Sequence, residues 1–349
     1  MSPTFHLYFK FNCFLHIYRV YRLTVKMPFF LEETNLIYLP SVVIEMILKE
    51  LDAKDVFNVS STCKFMHKTC QNSKFWKKFT VNVKTLLLDK WSCMKIAKIC
   101  SEKGLTDLRI YFPRNDDDVE DMDMNDLDEN VGKLLEYFQI NLEALYLPIF
   151  MLTNSMNLLT TLQDFTNLKI LKLGNHIRLF GEFKLWKQKK DITIKMLNIL
   201  FTKLQNLEFF EIHDCHGLLE EPLGILANNN EKIKHLDASY CWSLERPGLL
   251  SLSNLHNLES LQLVCCGITD EDIIILTESC QELLDLNVGW TFVTDISLSN
   301  ILKKIPSIMK LDVSGCKGIT YDGMKEFTTK SRKLKKFFIR NAFNNKNNF

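Results

Sequence analysis

Apolar residues recur along most of the chain in one short pattern. A first apolar position is followed by two residues, a second apolar position, one residue and a third apolar position. Because apolar and polar positions alternate at its end, the pattern predicts a short strand that turns its apolar side chains to one face. The units begin at Leu105, Leu142, Leu168, Leu207, Ile233, Leu258, Leu283, Ile308 and Leu334.

The spacing of these units predicts how the strands are connected. The last five steps are 25 or 26 residues long, whereas earlier steps of 37 and 39 residues indicate insertions. The segment 269–283 between two strands places Ile273, Leu276 and Cys280 at helical intervals. Since no such unit buries its apolar face alone, we expect strand–helix units to stack into an α/β solenoid.

Four units carry a cysteine three residues after the last strand position, and one carries Thr291 instead. The cysteines are Cys215, Cys241, Cys266 and Cys316. Several units add an Ile-Thr or Val-Thr-Asp element, at 268–270, 293–295 and 319–320. This combination resembles the cysteine-containing subclass of leucine-rich repeats, which is commonly joined to an F-box. The resemblance covers residues 105–340 and implies a right-handed horseshoe with its strands on the concave face.

A different pattern, with helical spacing, occupies residues 39–76. Pro40 and Ser41 suit the first turn of a helix, and Asp52 opens a second helix in a capping-box-like arrangement with Asp55. A third helix is expected through Met66, and a fourth from Ser73 to Phe79. About forty residues are too few to bury a self-sufficient core, so we expect a partner to cover part of this cluster.

The order of short motifs in this segment resembles the F-box motif across roughly residues 36–80. The matching motifs are Leu39-Pro40, Ile47-Leu48, Leu51-Asp52, Lys54-Asp55-Val56, Ser60-Ser61-x-Cys63-Lys64 and Phe75-Trp76-Lys77-Lys78. The resemblance implies docking on a Skp-family adaptor, and through it on cullin and RING subunits. The expected adaptor-binding residues are Leu39, Pro40, Val43, Ile44, Ile47, Leu48, Leu51, Val56 and Trp76. A helical cap on the solenoid is the alternative interpretation.

These patterns divide the chain into an extension at 1–35, an F-box at 36–80, a solenoid at 81–340 and a tail at 341–349. Both termini are expected to be disordered, although basic and aromatic residues in 1–26 also suit a membrane-surface anchor. Insertions are expected near 115–130 and 178–195. The first holds nine acids and no base, which favours a solvated loop over a calcium site. The second is basic and reads as a solvated loop or a contact for an acidic partner.

Composition limits the classes of function. The chain is 46% hydrophobic and 24% charged with a formal net charge of +1, so no global field favours nucleic acid or a membrane. Eleven cysteines without a C-x-x-C pair favour reduced thiols, and hence the cytosol or the nucleus.

The sequence argues against catalysis and against a metal site. The sequence contains no G-x-G-x-x-G, P-loop, G-x-S-x-G or H-E-x-x-H motif, so we expect neither an enzyme nor a cofactor. His213-Asp214-Cys215-His216 offers metal-ligand types, but Cys215 should turn into the stack while His213 turns outward. No metal site is therefore expected.

With catalysis and metal binding excluded, recognition of a protein target is the remaining class of function. Residues between the apolar strand positions should line the concave face, and aromatic residues such as Tyr240, Trp242 and Trp290 suit binding hot spots. The expected target-binding residues are Glu211, His213, His235, Asp237, Tyr240, Gln262, Asp285, Asn287, Trp290, Lys310 and Asp312. Glu211, Asp237, Asp285 and Asp312 are predicted to line nearly one acidic stripe, which either selects a basic segment or is merely solvated.

The resemblance implies a substrate-recognition subunit of an SCF-type E3 ubiquitin ligase, which marks its target for proteasomal degradation. A leucine-rich-repeat scaffold or inhibitor that binds a protein partner without ligase activity is the alternative.

Overall fold

The computed structural model describes residues 40–111, 124–148, 156–174, 194–213, 215, 218, 220–244 and 246–340. Within these ranges, ten strands form one parallel sheet in which spatial order follows chain order. The strands are β1 Lys78–Asn82, β2 Asp107–Tyr111, β3 Ala144–Leu147, β4 Ile170–Leu173, β5 Phe209–Ile212, β6 His235–Asp237, β7 Ser260–Gln262, β8 Asp285–Asn287, β9 Lys310–Asp312 and β10 Lys336–Phe338. A sheet that advances by one strand per unit is the predicted solenoid.

Helices precede the sheet and connect its strands. A cluster of α1 Ser41–Glu50, α2 Ala53–Ser60, α3 Lys64–Thr69 and a 3-10 turn Ser73–Phe75 comes first, and we call residues 40–76 the helical cluster. The connecting helices are α4 Val83–Leu88, α5 Lys90–Glu102, α6 Met124–Glu136, α7 Met156–Leu162, α8 Ile194–Lys203, α9 Glu220–Asn229, α10 Arg246–Ser251 with a 3-10 turn Leu252–Asn254, α11 Asp270–Ser279, α12 Asp295–Lys304 and α13 Tyr321–Lys330. None of these described helices has both the length and the apolar content needed to cross a bilayer.

The three apolar positions of the repeat pattern form the core. In the first eight predicted units every one of them is buried, as Leu236 and Leu261 illustrate. In the ninth unit, Leu334, Phe337 and Ile339 are only partly buried because β10 is the edge strand of the sheet in the described part of the chain. The prediction of stacked strands is confirmed, and each fully buried Leu or Ile stabilises the stack by roughly 1.5–3 kcal/mol.

The sheet begins one strand earlier than predicted. Residues 78–82 form β1, which pairs in parallel with β2, so the prediction of a helix ending on Phe79 was wrong. Phe79 and Val81 alternate with polar residues and turn into the core, which is the period of a strand. The helical cluster therefore continues directly into the solenoid.

The acidic insertion also differs from its prediction. Residues 124–130, expected to be a solvated loop, form the start of α6. Leu127, Val131 and Leu134 are buried at helical spacing and hold this turn against the core despite its charge. Residues 112–123, most of the second insertion and both expected disordered termini lie outside the described residues.

The recurring Thr-Asp element has a structural role, because the Asp of one repeat caps the helix of the next. Asp270 Oδ1 accepts hydrogen bonds from the Thr294 N–H at 2.9 Å and the Ser297 N–H at 3.2 Å. Asp295 repeats the contact with Thr320, whose N–H lies 2.9 Å from Oδ1. Side chains of one repeat thus satisfy orphan amides of the next helix and couple neighbouring repeats.

The repeat cysteines are buried in the stack, where they form an internal ladder. Cys241 Sγ donates to Ile212 O at 3.6 Å, and Cys316 Sγ donates to Val288 O at 3.1 Å, in each case in the preceding repeat. Burial raises the pKa of the Cys266 thiol to about 12, so this thiol is unreactive at neutral pH.

Candidate partner-binding surfaces

The helical cluster buries most of the residues that the sequence assigned to an adaptor. Each of these lies in the chain's own core: Ile44, Ile47, Leu48, Leu51, Val56 and Trp76. Trp76 also donates its Nε1–H to Cys70 O at 2.7 Å. Pro40 is exposed, Val43 is half-buried, and Leu39 lies outside the described residues.

Other apolar residues of the cluster remain exposed. Val42 and Met46 are 67% and 50% exposed, and they lie one turn apart on the same face of α1. Phe65 on α3 is also exposed. The sequence did not single out these three, because helical spacing identifies an apolar face without telling which side of it the chain itself covers.

The outward residues of the strands form two rows across the sheet. The first outward row contains Phe209, His235, Ser260, Asp285 and Lys310, and the second contains Lys172, Glu211, Asp237, Gln262, Asn287 and Asp312. The predicted target-binding residues of β5 to β9 do lie together on this face. Glu211, Asp237 and Asp312 lie in the second outward row, as expected of nearly one acidic stripe, whereas Asp285 lies in the first outward row.

Charges at the β4–β6 end of this face neutralise one another. Lys172 Nζ lies 2.7 Å from Glu211 Oε2, and His213 Nε2 lies 3.1 Å from Asp237 Oδ2 and 3.7 Å from Glu211 Oε1. Burial opposes protonation of the imidazole, but the Asp237 and Glu211 carboxylates outweigh it and raise the pKa of His213. Burial would likewise raise the pKa of Asp237, but His213 and Ser239 together hold it below its usual range.

Glu211, His213 and Asp237 are also the described residues whose ligand atoms could hold a metal ion, since these atoms lie within 4.8 Å of one another. Lys172 already supplies a positive charge to these carboxylates, so we interpret the group as a network of ion pairs and not as a metal site. Cys215 of the rejected metal motif is buried in the stack as predicted, and Asp214 and His216 lie outside the described residues.

Further pairs occupy the first outward row and the strands before it. Phe209 stacks on His235 with ring centroids 3.9 Å apart, and Lys310 Nζ lies 2.8 Å from Asp285 Oδ2. Burial lowers the pKa of His235, so this imidazole is neutral at physiological pH.

On β3 and β4, Tyr146 and Lys172 lie on the same outward face, but neither is among the target-binding residues predicted from the sequence. The alternation that placed Glu211 outward would have placed them outward too.

The loops that follow β6 to β9 form two more rows. The left-handed row contains Tyr240, Cys265, Trp290 and Gly315, whose φ angles are 64°, 57°, 61° and 76°. Each N–H in it donates to the next repeat, as in the 2.7 Å bond from Trp290 N to Ser314 O. Two residues further along, the rim row contains Trp242, Gly267, Phe292 and Lys317, all of them exposed.

Comparisons with known proteins agree with these two regions. An F-box domain model matches residues 36–78, and a Leucine Rich repeat model matches residues 254–274 and 304–327. The chain therefore combines an F-box domain with leucine-rich repeats. The match to the first model ends at the start of β1.

Solved structures with a similar fold include a chain of the Rad7 and Elc1 complex from yeast. It has a TM-score of 0.55 at 13% identity, and the alignment covers 99% of this chain and 92% of that chain. The leucine-rich repeat-containing protein LegL7 from Legionella pneumophila is more distant, with a TM-score of 0.48 at 12% identity over 83% of this chain and 87% of that chain.

Proposed function

We propose that this protein, an F-box domain joined to leucine-rich repeats, is the target-recognition subunit of an SCF-type E3 ubiquitin ligase. Its F-box domain docks on a Skp-family adaptor, and through it on cullin and RING subunits, while the solenoid holds a protein target. The observation that carries the proposal is the F-box match at 36–78, which coincides with the exposed apolar face of α1. The combination of these two domains is typical of non-enzymatic receptors and adaptors.

The adaptor contact is assigned to exposed residues instead of core residues. Val42 and Met46 offer apolar surface that the chain leaves in water, with Pro40 at the start of the same helix. Ile44, Leu48 and Trp76 serve the contact indirectly, because they hold the helices that present this face. The chain with a similar fold was crystallised in the Rad7 and Elc1 complex, which supports a protein partner here.

The solenoid contributes positioning. Target lysines held on its concave face meet a ubiquitin thioester that another subunit supplies, and this proximity replaces a bimolecular encounter. The buried thiols of Cys93, Cys266 and Cys280 are free, which supports action in a reducing compartment such as the cytosol or the nucleus.

A double variant tests the proposal. Val42→Asp with Met46→Asp places two carboxylates on the docking face, and each lost apolar contact is worth roughly 1.5–3 kcal/mol when fully buried. We expect affinity for the purified adaptor, measured by isothermal calorimetry, to fall by about a hundredfold or more. The matched control is Ile140→Asp with Leu250→Asp, which changes two exposed residues of the solenoid and should leave adaptor affinity unchanged. Equal affinity of the α1 variant and the control would contradict the proposed docking face.

A further inference from the structure

The left-handed row contains large side chains at positions where the backbone favours glycine. Tyr240 and Trp290 have φ of 64° and 61°, a region that bulky residues rarely adopt. The fold itself accepts glycine there, because Gly315 occupies the same position one repeat after Trp290. Strain that the architecture does not require indicates a second purpose for these aromatic residues.

The ring of Trp290 is held in place although it faces solvent. A Cβ on Gly315 would overlap Cδ2 and Cε2 of the Trp290 ring, so the indole lies directly against the backbone of the next repeat. The residue is nevertheless 55% exposed. An aromatic face that is rigid before binding loses little conformational entropy on binding, which is the property of a recognition anchor.

Hydrogen-bond acceptors lie beside this anchor. Strands β6 to β9 contribute Asp237, Gln262, Asn287 and Asp312 to the second outward row. This part of the row therefore contains no cationic side chain. Asp312 Oδ1 accepts from Ser314 N at 2.9 Å. A Cβ on Gly289, the residue before Trp290, would lie 3.1 Å from Ser314 O, 3.3 Å from Asn287 Oδ1 and 3.8 Å from Asp312 Oδ1, so three acceptors surround the backbone that leads to the indole.

The rim row adds an apolar recess. Trp242 and Phe292 are 66% and 72% exposed, and they lie two repeats apart, or roughly 10 Å at the usual strand spacing. Between them stands Gly267, and a Cβ at this glycine would have nothing within 4 Å. Two exposed aromatic residues thus lie on either side of an open position one repeat wide.

We propose that this surface binds an extended target segment through an arginine followed or preceded by a large apolar residue. The guanidinium stacks on Trp290 and donates to Asp312, and the apolar side chain enters the recess at Gly267 between Trp242 and Phe292. Arginine fits because its charged group is planar, stacks on aromatic faces and donates two parallel hydrogen bonds to one carboxylate. The inference rests on the proposed function and specifies the class of target that the solenoid recognises.

Peptide selection tests this chemistry. The full chain, purified alone, is panned against phage-displayed random 12-residue peptides, and the enriched peptides are resynthesised with a fluorophore for polarisation measurements. We expect them to contain Arg beside Leu, Met or an aromatic residue, and to bind at least tenfold more weakly when that Arg is replaced by Lys. Absence of enrichment, or enriched peptides without Arg, would overturn the proposal.

Three variants locate the binding site. Trp290→Gly and Asp312→Asn should each weaken the selected peptide at least tenfold, whereas Trp91→Ala, which removes an exposed tryptophan of α5, should not. Gly315→Ala keeps every atom of Trp290 but displaces its ring, so it should cause the same loss. Circular dichroism melts confirm folding, and peptide affinity that survives all three changes at 290, 312 and 315 sinks the inference.

Adaptor affinity, measured on the same samples, separates the two claims. We expect the variants at positions 290, 312 and 315 to lose peptide binding while they keep their affinity for the adaptor. A wild-type chain that binds the selected Arg peptides but never binds the adaptor would refute the ligase role and leave the arginine site standing.

Discussion

The helical cluster and the solenoid loops after β6 to β9 both expose apolar side chains, but they differ in the backbone strain that this exposure requires. In α1, Val42 and Met46 occupy regular helical positions that carry no backbone strain. In the solenoid, Trp290 occupies a left-handed position that an L-residue adopts only at a cost of about 1–3 kcal/mol. Exposure in the first region is what a helix without its binding partner shows, whereas exposure of Trp290 reflects an anchor built into the loop after β8.

The largest expected difference concerns two tryptophans. Trp76→Ala removes a buried ring and its hydrogen bond to Cys70 O, so it should lower the free energy of unfolding of the helical cluster by about 3–5 kcal/mol. Trp290→Gly removes an exposed ring but relieves the strained φ, so it should stay within about 1 kcal/mol of wild type. Urea unfolding monitored by far-ultraviolet circular dichroism measures both, and equal losses would erase the distinction between the regions.

Helix caps give a second, smaller contrast. Asp270→Ala leaves the Thr294 and Ser297 amides of the next repeat without their acceptor, and we expect a loss of about 1–2 kcal/mol. Asp52→Ala in the helical cluster removes a cap of its own helix, at Lys54 N, and should cost about 0.5–1 kcal/mol. Chemical denaturation of the two variants compares them. A larger loss for Asp52 would mean that coupling between repeats is weaker than the hydrogen bonds indicate.

Helix α6, between the two regions, should respond to pH. Burial raises the pKa of Asp128 to about 6, and its Oδ1 has no hydrogen-bond partner among the described residues. Because the folded pKa exceeds the ordinary value, stability falls as pH rises from about 4 to 6. Asp128→Asn should therefore stabilise the protein at pH 7 by on the order of 1 kcal/mol, after allowance for partial solvent screening. The gain should vanish at pH 4, and thermal melts at the two pH values check it.

The smallest expected effect is a titration shift on the concave face. The raised pKa of His213 means that its stabilising contribution is present below the ordinary pKa of His and is lost as pH rises through the folded value. Asp237→Asn removes the nearest carboxylate, so burial should then dominate and lower the pKa of His213. Nuclear magnetic resonance titration of the imidazole protons measures the shift. Asp312→Asn serves as the control, and an unchanged pKa in Asp237→Asn would show that the network does not hold the proton.

Much of the solenoid follows from the sequence because burial enforces its pattern. Leu236, Leu261 and their equivalents must alternate with polar residues, so the strands from Leu105 onward could be located in advance. Strand β1 was missed because Phe79 and Val81 provide a single alternation inside a helical motif. The start of α6 was missed because its acids hid the buried stripe of Leu127 and Val131.

The binding surfaces were less predictable for two physical reasons. An amphipathic helix such as α1 shows which positions are apolar, but not whether Ile44 or Val42 meets the chain's own core. The left-handed row carries no signal in its residue types, since Tyr, Cys and Trp do not favour positive φ. Gly315 alone among its four members has the residue type that such a backbone favours.

The most direct test of the central claim is a calorimetric titration of the wild-type full chain with a purified Skp-family adaptor. We expect one adaptor to bind per chain with a Kd of about 1 μM or tighter, corresponding to roughly 8 kcal/mol of binding free energy. No binding heat at any adaptor concentration up to about 100 μM would contradict it.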